Sequence, residues 1–248
     1  MQWRLPWKKK RLINHYNMAL LLNIDTATEH ASVCLSDNEN ILGLIESTEQ
    51  KNHASFVQAA VKELMKNAGT GLQMVNAVAV SAGPGSYTGL RVGLASAKGI
   101  CYALGKPLIM VNTLEIIARA MFRYLLSKEK QIDPSLHFCP MIDARRMEVF
   151  TATYNSSLEE TEAPNAKILD ETSFAEQLLK GKVVFSGTGH HKFQKLVSNP
   201  SAVFLDLQHD ASHLASLALN AYQSKCFADL AYSEPLYVKA FFNPAKQS

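Results

Sequence analysis

Paired cysteines are missing from this chain of 248 residues, and so is any long apolar run. Its four cysteines, Cys34, Cys101, Cys139 and Cys226, are widely scattered. No CxxC pair and no matching histidine spacing accompanies them, which excludes a cysteine-ligated zinc module and a disulfide framework. They read as free thiols in a reducing cytoplasm. No apolar stretch approaches the ~20 residues that a membrane span requires, and the opening residues lack the apolar core of a signal peptide. A soluble cytoplasmic protein without membrane contact is expected. With 47% hydrophobic residues, the chain has ample core for one large domain or two small ones.

Tryptophan is nearly absent too: Trp3 and Trp7 are the only two. They lie among Arg4, Lys8, Lys9, Lys10 and Arg11 in the first 17 residues, where no acid occurs. A total of +3 minus those five cations leaves the body at −2, so the basic character belongs to the tail. Two readings fit the tail. Aromatics interleaved with cations can touch RNA or an anionic surface; alternatively, residues 1–17 are an unused, disordered extension and Met18 is the natural start. On the second reading, a chain beginning at Met18 folds and functions unchanged. A mildly acidic body argues against unaided tight binding of a polyanion.

From Ala19 onward the order of elements is legible. Leu20 to Ile24 is a continuous apolar strand, Ala31 to Ser36 alternates, and Ile41 to Ile45 returns after a turn. A helix follows from about His53 to Asn67, with Phe56, Val57, Ala60, Val61, Leu64 and Met65 on one wide face. Ala77 to Val80 is a buried strand, Gly89 opens a helix, Lys106 to Val111 is a short strand, and Thr113 to Leu126 is helical. This β-β-β-α-β-α order, with Asp25 ending the first strand, is the ribonuclease-H-like plan shared by actin, sugar kinases and the Hsp70 ATPase, which usually occurs in two copies. The second half supports the repeat in part. Phe138 to Asp143 and Glu148 to Tyr154 suggest a hairpin, Ser173 to Leu179 a helix, Lys182 to Phe185 a strand, and Asp210 to Ser224 a closing helix. The expected organisation is an α/β protein of two tightly packed actin-like subdomains, 18–127 and 128–248, with the last helix able to pack back on the first.

The stretch Ser81-Ala-Gly-Pro-Gly-Ser-Tyr-Thr-Gly-Leu-Arg91 joins a buried strand to a helix through a glycine-rich turn. Unpaired amides at such a helix start favour a phosphate, making Asp25, Gly85, Ser86 and Thr88, with Gly187 and Gly189 of a second turn, candidate phosphate contacts. A tight turn without a ligand is the competing reading. The motif is not a Walker A loop, because Leu90 and Arg91 stand where Lys and Ser/Thr are needed. Ser86 lacks both the nucleophile-elbow pattern and an assignable base. In the following helix small residues extend around much of the surface. That pattern fits either a close partner at His53, Val57, Val61, Leu90, Gly93, Leu94, Ala97 and Cys101, or complete burial in the domain itself. If the partner reading holds, a bulky charge at Gly93 or Ala97 abolishes association and leaves the fold intact.

Other polar residues are weighed in the same way. Asp25 serves either a weak metal or phosphate site or the local amides and hydroxyls of Thr26 and Thr28, the structural role being preferred. Arg91 meets an anion, a partner's acid or solvent. His53 is a helix cap, a partner contact or a surface residue. Adjacent side chains of His190 and His191 are expected to diverge, and His209 and His213, four apart, read as solvated rather than zinc-binding.

Asn23-Ile-Asp-Thr-Ala-Thr28, the Ser81–Arg91 motif, Val111-Asn-Thr-Leu-Glu115 and Ser186-Gly-Thr-Gly189 together closely resemble the TsaB (YeaZ) family. The resemblance covers essentially everything from Met18 and is densest from Leu20 to Arg119. It implies an actin-like fold and a role as the dimerisation subunit of the bacterial complex that places threonylcarbamoyl on N6 of the adenosine next to the tRNA anticodon. The related catalytic subunit, TsaD, is similar across the N-terminal half but carries an Asn-His-x-Glu-Gly-His segment that binds metal. Aligned on Asn112, its histidines fall on Thr113 and Ile117, neither of which can ligate a metal through an imidazole. The resemblance therefore implies a non-catalytic partner that holds and activates TsaD, with no cofactor and no metal. It also implies a homodimer when alone, a TsaE-type ATPase reached through the complex, and tRNA contacted indirectly. The alternative is an enzyme in its own right, either an ATP-dependent transferase or a metallopeptidase.

Overall fold

The computed structural model describes residues 2–3, 19–47 and 53–239. Most of the basic tail, including Trp7 and all five of its cations, lies outside the described residues. Gln2–Trp3 form a two-residue strand, β1, antiparallel to the edge of the first sheet opposite Glu46 and Ile45.

The first half runs β2 (Leu20–Asp25), β3 (Ala31–Asp37), β4 (Asn40–Ser47), α1 (His53–Ala68), β5 (Ala77–Gly83), α2 (Tyr87–Leu104), β6 (Leu108–Asn112) and α3 (Thr113–Lys128). The second half repeats the sequence of elements: β7 (His137–Asp143), β8 (Glu148–Tyr154), β9 (Glu160–Ile168), α4 (Ala175–Lys180), β10 (Val183–Ser186), α5 (His190–Gln194), β11 (Ala202–Leu205) and α6 (Ala211–Gln223). The sheet orders, β1-β4-β3-β2-β5-β6 and β11-β10-β7-β8-β9, are the same plan apart from β1. In each, three antiparallel strands are followed by two parallel ones laid beside the first.

The duplication is thus complete, where the sequence pattern had suggested it only in part. Strand β9 escaped because Pro164 and Asn165 interrupt its run and it is an edge strand with no fully buried residue. The four residues of β11 are all half-buried, and α5 has five residues. Neither is long enough to show a period.

Packing explains the burial pattern of each element. Helices α1 and α2 cover one face of the first sheet, where Phe56, Val57, Leu64, Leu94 and Cys101 meet Leu22, Ile24, Val33 and Val80. Helix α6 covers the other face through Leu214, Leu217 and Ala218 against Leu21, Ala79 and Ile109. Helix α3, from the first half, turns Leu114, Ile117, Ala118 and Met121 onto Phe138, Ala152 and Val184 of the second sheet. Each closing helix therefore packs on the other half's sheet, and both faces of β2 are buried, which accounts for apolar residues on both; the one polar residue among them, Asn23, donates to the Cys34 carbonyl and to Ser36 Oγ. Burial also pushes the Cys101 thiol up to about 11, which leaves it unreactive near neutral pH.

Outside the second sheet, α4 and α5 close over an aromatic cluster. Phe185 is fully buried, edge-on to Phe174 at 5.3 Å and Phe193 at 5.0 Å, and stacked on Phe204 at 5.3 Å. Phe185→Ala removes the shared member of these pairs and is expected to cost about 3–5 kcal/mol, read as a lowered denaturant midpoint. A loss below 1 kcal/mol would show that the cluster contributes little.

Candidate functional site

In open sheets of this type, ligands approach the carboxyl ends of the parallel strands. The end of β2 places Asp25 there, 1% exposed. Its Oδ1 accepts from the Ala27 amide at 3.0 Å, and Ser81 supplies a further hydrogen bond. Its Oδ2 lies 3.2 Å from Nε2 of His209, which is 2% exposed and belongs to the second half's connection into α6. Neither of those two atoms has an aligned hydrogen bond, so their attraction is chiefly Coulombic. Burial alone would push the Asp25 carboxyl up; the Coulombic attraction of His209 and the hydrogen bonds from Ala27 and Ser81 hold it below the ordinary carboxylate range.

These findings correct two expectations. The partners of Asp25 are Ala27, Ser81 and His209 rather than the groups of Thr26 and Thr28. His209 is not solvated. His213 is half-buried and completes a capping box with Asp210 at the start of α6. Burial works to raise the Asp210 carboxyl, but the His213 and Ser212 contacts outweigh it and hold that group well below the usual range.

The glycine turn packs directly on the turn that follows Asp25. A Cβ added at Gly85 would overlap the Ala27 carbonyl, one at Gly89 the Thr26 carbonyl, and one at Gly93 the Thr26 hydroxyl. Thr26 Oγ1 donates to the Gly89 carbonyl at 2.8 Å. Four of the turn's amides have partners: Ser86 donates to the Ala27 carbonyl, Leu90 to the Ser86 carbonyl, Gly89 to the Ser86 hydroxyl, and Gly83 to Thr113 Oγ1. Ser86 is the N-cap of α2. The glycines serve close backbone approach, and the Ser86 amide and hydroxyl, named as phosphate contacts, are engaged within the chain.

The C-terminal segment covers this turn from outside. The Leu236 amide donates to the Ala82 carbonyl at 2.7 Å, and its own carbonyl sits against Gly83. Tyr237 accepts from Arg91 Nε at 3.0 Å and lies 5.6 Å from the ring of Tyr87. Lys98 donates to the carbonyls of Ala231 and Ser233, and Lys239 reaches Glu148 of the second half at 2.6 Å. Arg91 thus meets the chain's own tyrosines rather than an anion.

The second turn behaves similarly at its backbone. Gly187 has φ 99° and lies against the Met141 carbonyl, to which the Gly189 amide donates at 3.0 Å. Its outer side is open, forming with residues 206–209 a cleft of about 140 Å³. His190 and His191 converge there instead of diverging, their rings 3.8 Å apart. Burial lowers the His190 pKa below its ordinary value.

Thr113 and Ile117, the positions of interest on α3, are buried; Ile117 packs against the second sheet and the Thr113 hydroxyl is taken by Gly83. Asn112 caps this helix through the Leu114 amide at 2.8 Å. The residues named as a partner surface, His53, Val57, Val61, Leu90, Gly93, Leu94, Ala97 and Cys101, all point inward. The small residues let α1 and α2 settle closely on the sheet. Outward, α1 presents Ala54, Ser55, Gln58, Ala59, Lys62 and Lys66, and α2 presents Tyr87, Thr88, Arg91, Ala95, Gly99, Tyr102 and Ala103, with Tyr102 84% exposed. Sequence reasoning misread His209 as solvated and missed Asp206 and the C-terminal segment, whose contacts join residues far apart in the chain.

Two actin-like units, a buried acid at the end of the first strand and two glycine turns define a duplicated α/β protein of the actin-like class. The family described as "TsaD: tRNA N6-adenosine threonylcarbamoyltransferase" matches residues 35–238. The TsaB of Escherichia coli, named a tRNA threonylcarbamoyladenosine biosynthesis protein, is 29% identical over 229 residues, covering 88% of this chain and 94% of its own. That of Haemophilus influenzae is 33% identical over 130 residues, 52% of this chain and 51% of its own. The solved structure of YeaZ from Pseudomonas aeruginosa superposes with a TM-score of 0.76 at 26% identity, covering 89% of this chain and all of that one. The chain belongs to this wider TsaD-type family and, within it, to the TsaB (YeaZ) family.

The depressed Asp25 carboxyl carries a pH signature. A carboxyl whose folded pKa lies below its unfolded value contributes stability that is present above the unfolded pKa, near 3.9, and lost as pH falls through the folded one. Asp25→Asn is expected to cost about 3–5 kcal/mol near neutral pH, because it leaves His209 facing a neutral partner in the interior. It should also flatten the decline in unfolding free energy below pH 4, measured by urea titration at each pH. An unchanged acid limb would show that the Asp25 carboxyl is not held low by its contacts.

Proposed function

We propose that this chain is a non-catalytic subunit of the machinery that makes N6-threonylcarbamoyladenosine in tRNA, and that it pairs with and activates a TsaD-type transferase. The observation that carries the reading is the state of α3: where the related transferase segment has metal-binding histidines, this chain has a hydroxyl engaged by Gly83 and a buried alkyl group. The Ser86 amide turned onto Ala27 and the C-terminal segment laid across the glycine turn support the same view, since a transferase needs an accessible cleft. A TsaE-type ATPase joins through the complex, and tRNA is contacted through the transferase.

The partner surface is the outward face of α1 and α2, shifted around the helices from the inward residues named above. The small residues Ala54, Ala59, Ala95, Gly99 and Ala103 around the projecting Tyr102 allow a second helix pair to approach closely. The same face makes the homodimer when the partner is absent. Gly99 discriminates well, because an added side chain there meets no atom within 4 Å inside the chain. Gly99→Arg is expected to leave the melting temperature within about 2 °C, since exposed substitutions usually move stability by less than 0.5 kcal/mol. It should weaken both the homodimer and the TsaD complex by at least tenfold, read by light scattering and calorimetry. Gly93→Arg should instead unfold the chain. Normal TsaD binding by Gly99→Arg would place the interface elsewhere, and tight ADP binding abolished by Asp25→Ala would favour an enzyme over a subunit.

A further inference from the structure

We propose that His190, His191 and Asp206 form a binding site for a divalent transition-metal ion of the zinc class, in the small cleft beside the second glycine turn. The site is separate from the Thr113 and Ile117 positions, and it stands or falls independently of the partner reading above. One ligating atom from each of the three residues lies within 4.8 Å of the other two. Two imidazoles and one carboxylate are a donor set that suits zinc, nickel or copper better than magnesium or calcium, which favour all-oxygen surroundings.

Neighbouring residues on a regular helix are turned about 100° apart, so the approach of two adjacent rings needs a cause. It lies at the entry to α5. Gly187, at φ 99°, turns the chain, and its carbonyl then sits 2.6 Å from Nδ1 of His190. That nitrogen donates to the carbonyl, which fixes the buried ring and leaves Nε2 as the nitrogen able to face a cation. Metal-ligating histidines are usually supported in this way, with the second ring nitrogen bonded to a backbone carbonyl or a carboxylate. His191 and Asp206 are exposed, arriving from α5 and from the residue after β11.

Distance and space are compatible with a bound ion. Donors sharing one tetrahedral zinc at about 2.0–2.2 Å lie roughly 3.3–3.6 Å apart. The exposed side chains of His191 and Asp206 can supply the small closure required, and the cleft of about 140 Å³ leaves room for an ion and its water. Three protein ligands would leave a coordination position for water or for an oxygen or nitrogen donor on a small ligand.

The test uses full-length, untagged protein stripped with a chelator and titrated with Zn²⁺ by calorimetry at pH 7.5, and with Co²⁺ followed in the visible spectrum. One ion per chain is expected, with a dissociation constant of 10 μM or tighter. The cobalt bands should lack the strong near-ultraviolet charge transfer of a thiolate, which sets the site apart from exposed Cys226. His191→Ala and Asp206→Asn, both at exposed positions, should each weaken binding by about 10–100-fold, with unchanged circular dichroism. His190→Gln is a third variant, and its melting curve reports whether the fold survives loss of the Gly187 bond. Absence of stoichiometric binding by the wild type would overturn the proposal, as would wild-type affinity in both His191→Ala and Asp206→Asn.

Discussion

A carboxylate taken fully out of water has to be answered by donors and opposite charge, and Asp25 is answered from both halves of the chain. Ala27 and Ser81 belong to the first half and His209 to the second. The residue after His209 is Asp210, which caps α6, and the first amide of that helix donates to Ser32 on β3 at 2.9 Å. Asp25 therefore stands beside the point where the second half is fastened under the first sheet. The exchange of α3 and α6 between the halves depends on this fastening, since α6 buries its apolar face against a sheet it does not belong to. Hinged opening of the two halves would expose the pair and that apolar face together.

The glycine turn shows how one local sequence can serve two different chemistries. Glycines let backbone approach backbone, and a ligand's phosphate is only one of the things that can be approached. Here the approaching group is the Thr26–Ala27 backbone, which takes the space and one of the amide donors that an anion would need. The Thr113 hydroxyl completes the turn by accepting from Gly83, so the first residue of α3 has a structural duty in this chain.

Most of the fold was legible because its strongest signals are local. The apolar run of β2, the alternation of β3, the wide apolar face of α1 and the strand-turn-helix around Gly83 each follow from short-range pattern. The repeat was visible where its elements were long, and invisible at β9, α5 and β11, where Pro164, shortness or partial exposure removed the period. The site was legible as residues but not as contacts. Asp25 and the glycine turn stood out, yet neither the His209 partner nor the segment around Leu236 and Tyr237 leaves any mark near them in the sequence. The inward orientation of Gly93 and Ala97 was misjudged for a related reason: small residues signal close approach without saying whether the neighbour is another molecule or the chain's own sheet.

Duplication supplies the last comparison, because it gives the molecule two equivalent turns in different states. After β5, the Leu236 carbonyl lies on Gly83 and Tyr237 engages Arg91, so the first turn is closed by the chain's own C-terminal segment. After β10, the equivalent turn closes its backbone against Met141 but keeps an open side, lined by His190, His191 and Asp206. Copies of one turn thus differ in what covers them, the first being closed by the chain's own packing and the second presenting the exposed side chains of His191 and Asp206. The proposed metal site lies at the turn with an open side, beside the His209 pair that ties the two halves together.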